Sequence, residues 1–220
     1  MNLSTSEENY IKAIFHLQTG GQTVTTNALA RELLARPASI TDMLKRLKTK
    51  KLIHYQPYQG FRLNTEGRRV ALAIIRRHRL WEYFLAEKLK FAWEEVHAIA
   101  EELEHVSSRK LVDKLDEYLG FPKFDPHGDP IPDMNGHMES THRVCLADLP
   151  LHTTALVCQV SNQSPEMLEL LRHKQIAIGT RLEARRKFPF DNSLEVKIRQ
   201  HPAVHISEQL AKNIFVTHDA

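Results

Sequence analysis

The sequence is poor in cysteine and has no long apolar run. Cys145 and Cys158 are too few for a disulfide framework, and no stretch of about 18 apolar residues is present to cross a membrane. The first residues have neither the basic nor the apolar segment of a secretory signal. The HExxH motif of many metallohydrolases is also missing, and the carboxylates have no obvious substrate pocket. We therefore expect a cytoplasmic protein that is not an enzyme.

The net charge of +3 conceals an asymmetry along the chain. Residues 1–90 contain 16 lysines and arginines against 7 acidic residues, whereas residues 91–220 contain 14 against 20. A basic front half indicates a negatively charged partner, and nucleic acid is the obvious candidate. A merely solvated basic surface is the alternative that charge alone leaves open.

Three helices and a hairpin are predicted at the front of the chain. Ser4 and Glu7 form a capping box at the start of the first helix, and Thr25 or Thr26 starts the second. Pro37 suits the first turn of the third helix. Short β-like runs around Gln59-Gly60 predict the hairpin. This order is typical of a winged helix-turn-helix, although a small helical core with a solvated basic helix would share it.

The third helix is the predicted DNA-reading element. Ile40, Met43, Leu44 and Leu47 recur at helical spacing and should be buried. The remaining side chains should face double-stranded operator DNA, because lysine and arginine hold phosphates and small polar groups meet base edges. The candidate DNA-binding residues are Arg36, Ala38, Ser39, Thr41, Asp42, Lys45, Arg46 and Lys48.

The rest of the chain changes character twice. A long helix capped by Thr65 should run to about Lys90, followed by helices near 93–107 and 108–119, and such apolar-faced helices commonly form a homodimer interface. Pro, Gly, Asp and His make 121–143 a loop region. Strands near 155–160, 181–187, 194–199 and 213–217, with a short helix opened by Pro165, then form a small β domain. We therefore expect a mainly α protein with a small β domain.

Histidines and carboxylates cluster on two of the predicted helices. His97, Glu101, Glu104 and His105 would share one face of the 93–107 helix, and His78 and Glu82 are also one turn apart. Imidazole and carboxylate groups at these spacings can close on a divalent ion. Each such group alone is more often a solvated helix face, but two of them after a winged helix favour a metal site.

An ordered set of short motifs resembles the family of iron- and manganese-dependent repressors of the diphtheria toxin repressor and MntR type. The resemblance covers nearly the whole chain, and its last part looks like the SH3-like, FeoA-type domain, a small β-barrel, of the longer members. The motifs are ENYI at 8–11, ASIT at 38–41, GFRLNTEG at 60–67, RHRL at 77–80 followed by Glu82, the 96–101 segment, EHV at 104–106, PHG at 126–128 and PIP at 130–132.

The resemblance implies metal ligands at particular positions of this chain. One implied site consists of His78, Glu82 and His97. The other consists of Glu101, Glu104 and His105 with a ligand from the first helix, where Asn9 stands. Further ligands implied by the resemblance are Asp125 and His127 from the loop and, on a loose alignment, Glu166 from the C-terminal domain.

Three positions depart from, or vary within, the family pattern. Asn9 replaces an Asp or Met of the relatives and can offer only a neutral carbonyl oxygen, and Lys12 stands where a two-domain manganese member has Glu. Glu101 stands where the iron-type members have Cys. A hard oxygen ligand favours Mn²⁺, with Fe²⁺ as the alternative.

Three domains and one function follow as expectations. The domains are a winged helix-turn-helix at 1–70, a helical dimerisation and metal-binding domain at 71–143, and the FeoA-type domain at 150–220. The resemblance implies a metal-dependent DNA-binding repressor of metal-uptake genes. A metal-independent winged-helix regulator of a small organic ligand and a metal-dependent hydrolase with a nucleic-acid-binding arm stay open as alternatives.

Overall fold

The computed structural model describes residues 3–18, 23–56, 60–106, 108–140, 142–198 and 201–218. The chain forms two compact units. The first comprises residues 1–78, 103–109 and 132–137, and the second comprises 79–102, 110–131 and 138–220. No helix among the described residues is both long and apolar enough to cross a membrane.

The first unit begins with three helices, α1 (Thr5–Leu17), α2 (Thr26–Glu32) and α3 (Pro37–Thr49). The predicted capping box is present, because the Ser4 hydroxyl accepts from the Glu7 amide and the Glu7 carboxylate accepts from the Ser4 amide. Thr25 caps α2, and Pro37 opens α3 as its spacing predicted.

The burial of α3 follows its apolar spacing. Ile40 and Leu47 are fully buried, and Met43 and Leu44 are half-buried against the same core. All of the candidate DNA-binding side chains of this region are exposed, namely Arg36, Ala38, Ser39, Thr41, Asp42, Lys45, Arg46 and Lys48. The helix therefore has an apolar face in the core and a polar, largely basic face in solvent.

A two-stranded antiparallel hairpin follows, with β1 (Ile53–Gln56) paired to β2 (Gly60–Leu63). The turn residue Gln59 of the predicted hairpin lies outside the described residues. Helix α4 (Thr65–Glu87) starts next, and its cap is Asn64 rather than the predicted Thr65, because the Asn64 side chain accepts from the Gly67 amide at 2.9 Å. The same Asn64 donates to the Lys51 carbonyl, which joins the cap to the hairpin.

Helix α4 runs through the end of the first unit and into the second. It is followed by α5 (Val96–Leu103) and α6 (Arg109–Tyr118). The predicted helix over 93–107 was too long at both ends: Glu104 and His105 lie in the turn after α5, so they do not share its face. The Glu104 side chain binds Lys12, and the His105 side chain binds Glu8, both of which lie in the first unit.

The C-terminal part forms a six-stranded antiparallel sheet in the order β3-β8-β4-β5-β6-β7. Its strands are β3 (Val144–Cys145), β4 (Thr154–Val160), β5 (Arg181–Lys187), β6 (Leu194–Ile198), β7 (Val204–Ile206) and β8 (Ile214–His218). Helices α7 (Pro165–His173) and α8 (Glu208–Ala211) lie between strands along the chain. The predicted mainly α fold with a small β domain is confirmed, although β3, β7 and α8 were not predicted.

Each unit has its own apolar core. In the first unit Ile11, Ile14, Leu29 and Phe61 are buried together. The second unit has one core within the sheet, which includes Leu168, and a smaller one around Leu80 and the apolar face of α6.

We expect Gly128→Ala to destabilise the protein by more than the roughly 1–3 kcal/mol that backbone strain alone would cost, because a steric overlap is added. Gly128 has φ +86°, and a Cβ there would overlap the Cys158 carbonyl and lie 2.8 Å from the Gln159 Cα. Urea unfolding measures the loss. Gly179→Ala is the matched control, because Gly179 has φ +82° with no heavy atom within 4 Å of its Cβ position. Equal losses in the two variants would contradict the steric argument.

Candidate metal centre

A buried group of three potential ligands lies within the second unit. Glu82 comes from α4, and Asp125 and His127 come from the tight loop between Phe124 and Pro130, which form an isolated β-bridge. One donor atom from each of the three side chains lies within 4.8 Å of the other two. Glu82 and His127 are 0% exposed and Asp125 is 5% exposed. The loop therefore brings its two side chains to α4.

The loop that carries Asp125 and His127 is fixed by its own hydrogen bonds. Oδ1 of Asp125 accepts from the backbone amides of His127 at 2.8 Å and of Asp129 at 2.9 Å. The His127 carbonyl accepts from the Val160 amide at 2.9 Å, which ties the loop to β4. Oδ2 of Asp125 accepts no hydrogen bond from the described residues, and its nearest cation is the Arg79 guanidinium at 3.6 Å. Oδ1 thus holds the loop in place, whereas Oδ2, whose ion pair within the described residues is with the Arg79 guanidinium at 3.6 Å, can accept a further ligand.

The hydrogen bond of His127 fixes the form of its ring. Nε2 lies 3.0 Å from the Trp93 carbonyl oxygen, which can only accept, so Nε2 carries the proton. Burial lowers the pKa of His127 and outweighs the raising effect of Glu82, so the ring is neutral near pH 7. Nδ1 then has a free lone pair, and it makes no hydrogen bond among the described residues. A neutral imidazole oriented by a carbonyl is the usual form of a metal-binding histidine.

The electrostatics of this group favour a cation. Burial and the charges of Glu82 and Asp129 raise the pKa of Asp125 well above its ordinary value, and Arg79 opposes them only in part. Two buried carboxylates therefore repel each other unless a further positive charge is supplied. Oδ2 of Asp125, which accepts no hydrogen bond from the described residues, the oriented Nδ1 of His127 and the two neighbouring carboxylates fit a divalent metal ion.

His97 and Glu101 of α5 lie next to this group within the second unit. Nδ1 of His97 is 3.0 Å from Oε1 of Glu82, the same oxygen that lies 3.8 Å from Nδ1 of His127. Nε2 of His97 is 3.6 Å from Oε1 of Glu101. The two predicted ligands Glu82 and His97 are therefore in direct contact, and both side chains of α5 are partly exposed.

Asp129 supports the loop that carries Asp125 and His127, and no sequence pattern indicated this role. Its carboxylate accepts from Gln159 at 2.6 Å and from Gln163 at 2.7 Å, and the Arg79 guanidinium lies 3.6 Å away. These partners come from α4, β4 and the segment after β4. Residue spacing predicts contacts within one helix or strand, so it could not predict contacts between these three segments.

The other predicted ligands within the first unit make a different arrangement. Glu104 is bound by the Lys12 ammonium and approached by Nδ1 of His78 at 2.7 Å, and His105 binds Glu8 at 2.8 Å. Burial works to raise the pKa of Glu104, but the hydrogen bond with His78 and the charge of Lys12 outweigh it and lower that pKa. The carboxylate already has its countercharge, so this second site does not fit a divalent ion.

The two remaining predicted metal ligands, Asn9 and Glu166, belong to neither of these groups. Oδ1 of Asn9 is buried and accepts no hydrogen bond from the described residues. Glu166 is exposed on the first turn of α7 and is not part of the group formed by Glu82, Asp125 and His127.

Comparison with known proteins gives matches along most of the chain. Residues 2–61 match the N-terminal DNA-binding domain of iron-dependent repressors, and residues 64–133 match their metal-binding and dimerisation domain. Residues 144–218 match the FeoA domain. Fold and matches together define a winged-helix DNA-binding protein with a metal-binding helical part and an appended FeoA domain.

Individual relatives agree with these matches. The iron-dependent repressor IdeR of Mycobacterium leprae is 32% identical over 131 residues, which are 60% of this chain and 57% of the relative. The diphtheria toxin repressor of Corynebacterium efficiens is 26% identical over 83% of this chain and 84% of its own. A solved manganese-dependent transcriptional repressor in complex with manganese is 32% identical over 96% of this chain and 99% of its own, with a TM-score of 0.87.

The chain belongs to the iron-dependent repressor family, which confirms the resemblance predicted from its motifs. It spans less than two thirds of the length of the mycobacterial relatives that it matches.

We expect Asp125→Asn to stabilise the metal-free protein and to weaken Mn²⁺ binding at least about tenfold. The amide oxygen can keep both backbone hydrogen bonds, while the charge that opposes Glu82 is removed. Because the folded-state pKa of Asp125 is raised, wild-type stability is lost as pH rises through that pKa. The advantage of the variant should therefore grow as the pH rises above about 4, the ordinary pKa of an aspartate.

Thermal unfolding in chelator and Mn²⁺ titration measure the two effects of this change. Asp191→Asn is the control, because Asp191 lies on an exposed turn and its hydrogen bonds among the described residues are with Ser193. A loss of stability without metal would show that the charge of Asp125 is already balanced.

Proposed function

We propose that this chain is a dimeric, cytoplasmic, metal-dependent DNA-binding repressor of metal-uptake genes, activated by Mn²⁺ rather than Fe²⁺. The observation that carries the proposal is the buried group of Glu82, Asp125 and His127, combined with an exposed basic helix α3. The relatives bear the names of iron- or manganese-dependent repressors, which favours this function over an organic-ligand regulator or a hydrolase.

The donor set supports the preference for manganese. Glu82 and Asp125 offer carboxylate oxygens and His127 offers a nitrogen, while neither cysteine of the chain belongs to the group. Hard oxygen donors with imidazole suit Mn²⁺ better than a thiolate site would. The similar structure with a TM-score of 0.87 is itself described as a complex with manganese.

The residues of the site suggest how occupancy would reach the DNA. A bound divalent cation would add positive charge between Glu82 and Asp125, where burial and the charge of Glu82 raise the pKa of Asp125. Glu82 lies on α4, which begins directly after the wing strand β2 and is shared by both units. The energetically preferred position of α4 would therefore differ between the metal-free and the metal-bound protein. If only one of these positions suits DNA binding, metal tightens the binding of DNA, and DNA tightens the binding of metal by the same factor.

Operator binding by a symmetric dimer completes the proposal. Leu111 and Tyr118 are exposed large apolar side chains two turns apart on one face of α6. Apolar side chains of this kind are typical of subunit interfaces, and a two-fold dimer presents two α3 helices to two half-sites.

We expect Mn²⁺ to tighten DNA binding by the wild-type protein about 5- to 150-fold, and His127→Ala to abolish that response. The readout is fluorescence anisotropy on a labelled duplex selected from a random library, in chelator and in Mn²⁺ at fixed salt. His152→Ala is the control, because the His152 side chain is 71% exposed and lies outside the site. A full Mn²⁺ response in His127→Ala would refute the site, and equal binding with and without metal would refute the metal switch.

We expect Arg46→Ala to weaken DNA binding on all sequences and to make the salt dependence shallower by about one unit of slope. Arg46 is exposed on α3, where a guanidinium can hold a phosphate. Arg185→Ala removes an equal charge from β5 of the FeoA-type domain and should leave the slope unchanged. An unaltered slope in Arg46→Ala would argue against a phosphate contact.

A further inference from the structure

The first unit contains a buried ion pair where the family resemblance implies a second metal site. Nζ of Lys12, on α1, lies 2.7 Å from both carboxylate oxygens of Glu104. The Lys12 side chain is 13% exposed and that of Glu104 is 0% exposed. One ammonium therefore spans the same two oxygens that a metal ion would need.

The neighbouring acidic group is also balanced by charge from the protein itself. Oε1 of Glu8 accepts from the Arg77 guanidinium at 2.8 Å, and Oε2 of Glu8 lies 2.8 Å from Nδ1 of His105. Arg77 also donates through Nε to the Glu104 carbonyl at 2.6 Å. Two carboxylates are thus matched by two permanent cations without any added ion.

A divalent ion and the Lys12 ammonium exclude each other at this place. Hard divalent cations bind carboxylate oxygens at about 2.0–2.6 Å, which is closer than the ammonium and in the same direction. Like charges repel strongly where water is largely excluded. Binding of an ion to Glu104 would require the Lys12 side chain to leave its partner and would set two cations side by side.

We propose that the Lys12 ammonium takes the place of the second metal ion, so that this chain responds to one divalent ion and not to two. The ion pair joins α1 to the turn after α5 within the first unit. The count of one rests on the proposed site at Glu82, Asp125 and His127, but the exclusion of an ion from Glu104 does not.

The test is the number of Mn²⁺ ions bound per chain, measured from the electron paramagnetic resonance signal of free Mn²⁺. We expect one ion for the wild type and for Glu104→Gln. We expect two for Lys12→Glu, and a gain of a weaker second ion for Lys12→Met, which removes the ammonium without adding a ligand. Lys12→Arg keeps the charge and should bind one. Circular dichroism checks that each variant is folded. If Lys12→Glu does not fold, the number of ions bound by Lys12→Met is the test.

Two tight ions in the wild type, or a loss of one ion in Glu104→Gln, would overturn the proposal. So would a folded Lys12→Met that gains none. The double variant Glu82→Ala/His127→Ala separates this inference from the proposed function. In that background we expect no ion with Lys12 and one ion with Lys12→Glu. If instead the wild type binds none while Lys12→Glu gains one, the proposed site is wrong and the role of Lys12 stands.

Discussion

The repulsion between the buried carboxylates of Glu82 and Asp125 is the constraint on which the functional part of the structure depends. Neither group is exposed enough to be solvated by water, and Arg79 offsets the charge of Asp125 only in part. Buried charges of like sign cost stability unless a cation is added. A divalent ion bound at Asp125 would relieve the repulsion that adds to burial in raising its pKa.

The loop that imposes this constraint depends on the C-terminal sheet domain. Its His127 carbonyl is bound by β4, its Gly128 fits against the Cys158 carbonyl, and its Asp129 is held by Gln159 and Gln163. The FeoA-type domain thus supplies supporting contacts to the loop that carries Asp125 and His127, while the role of Glu166 stays a prediction. Supporting contacts of this kind orient metal ligands and tune their affinity.

The first unit shows the opposite electrostatic arrangement. Lys12 neutralises Glu104, and Arg77 neutralises Glu8, at distances of 2.7 and 2.8 Å. In the second unit the Arg79 guanidinium lies 3.6 Å from Asp125 and from Asp129, and it opposes the raised pKa of Asp125 only in part. The Lys12 ammonium is therefore closer to its carboxylate than the Arg79 guanidinium is to either of these two.

Much of the fold could be predicted because its signals are local. The capping box at Ser4, the proline start of α3 and the strand over 181–187 each depend on neighbouring residues, and each is present in the structure. The end of α5 was placed too late. Glu104 lies in the turn after the helix and pairs with Lys12, a residue 92 positions away that no local pattern links to it.

The site was predictable only in part, because most of its contacts join segments that are far apart in the sequence. Glu82 and His97 could be nominated from helical spacing, whereas the pairing of Glu82 with Asp125 and His127 came only from the family resemblance and depends on contacts between distant segments. The role of Asp129 and the blocking position of Lys12 required the three-dimensional structure, because no pattern within one element indicates them.

The most direct test of this account is an anomalous difference map from crystals grown with Mn²⁺ and measured near the manganese absorption edge. We predict a peak among Glu82, Asp125 and His127 and none between Lys12 and Glu104. A peak at Glu104 with Lys12 displaced, or no peak beside Asp125, would contradict the account.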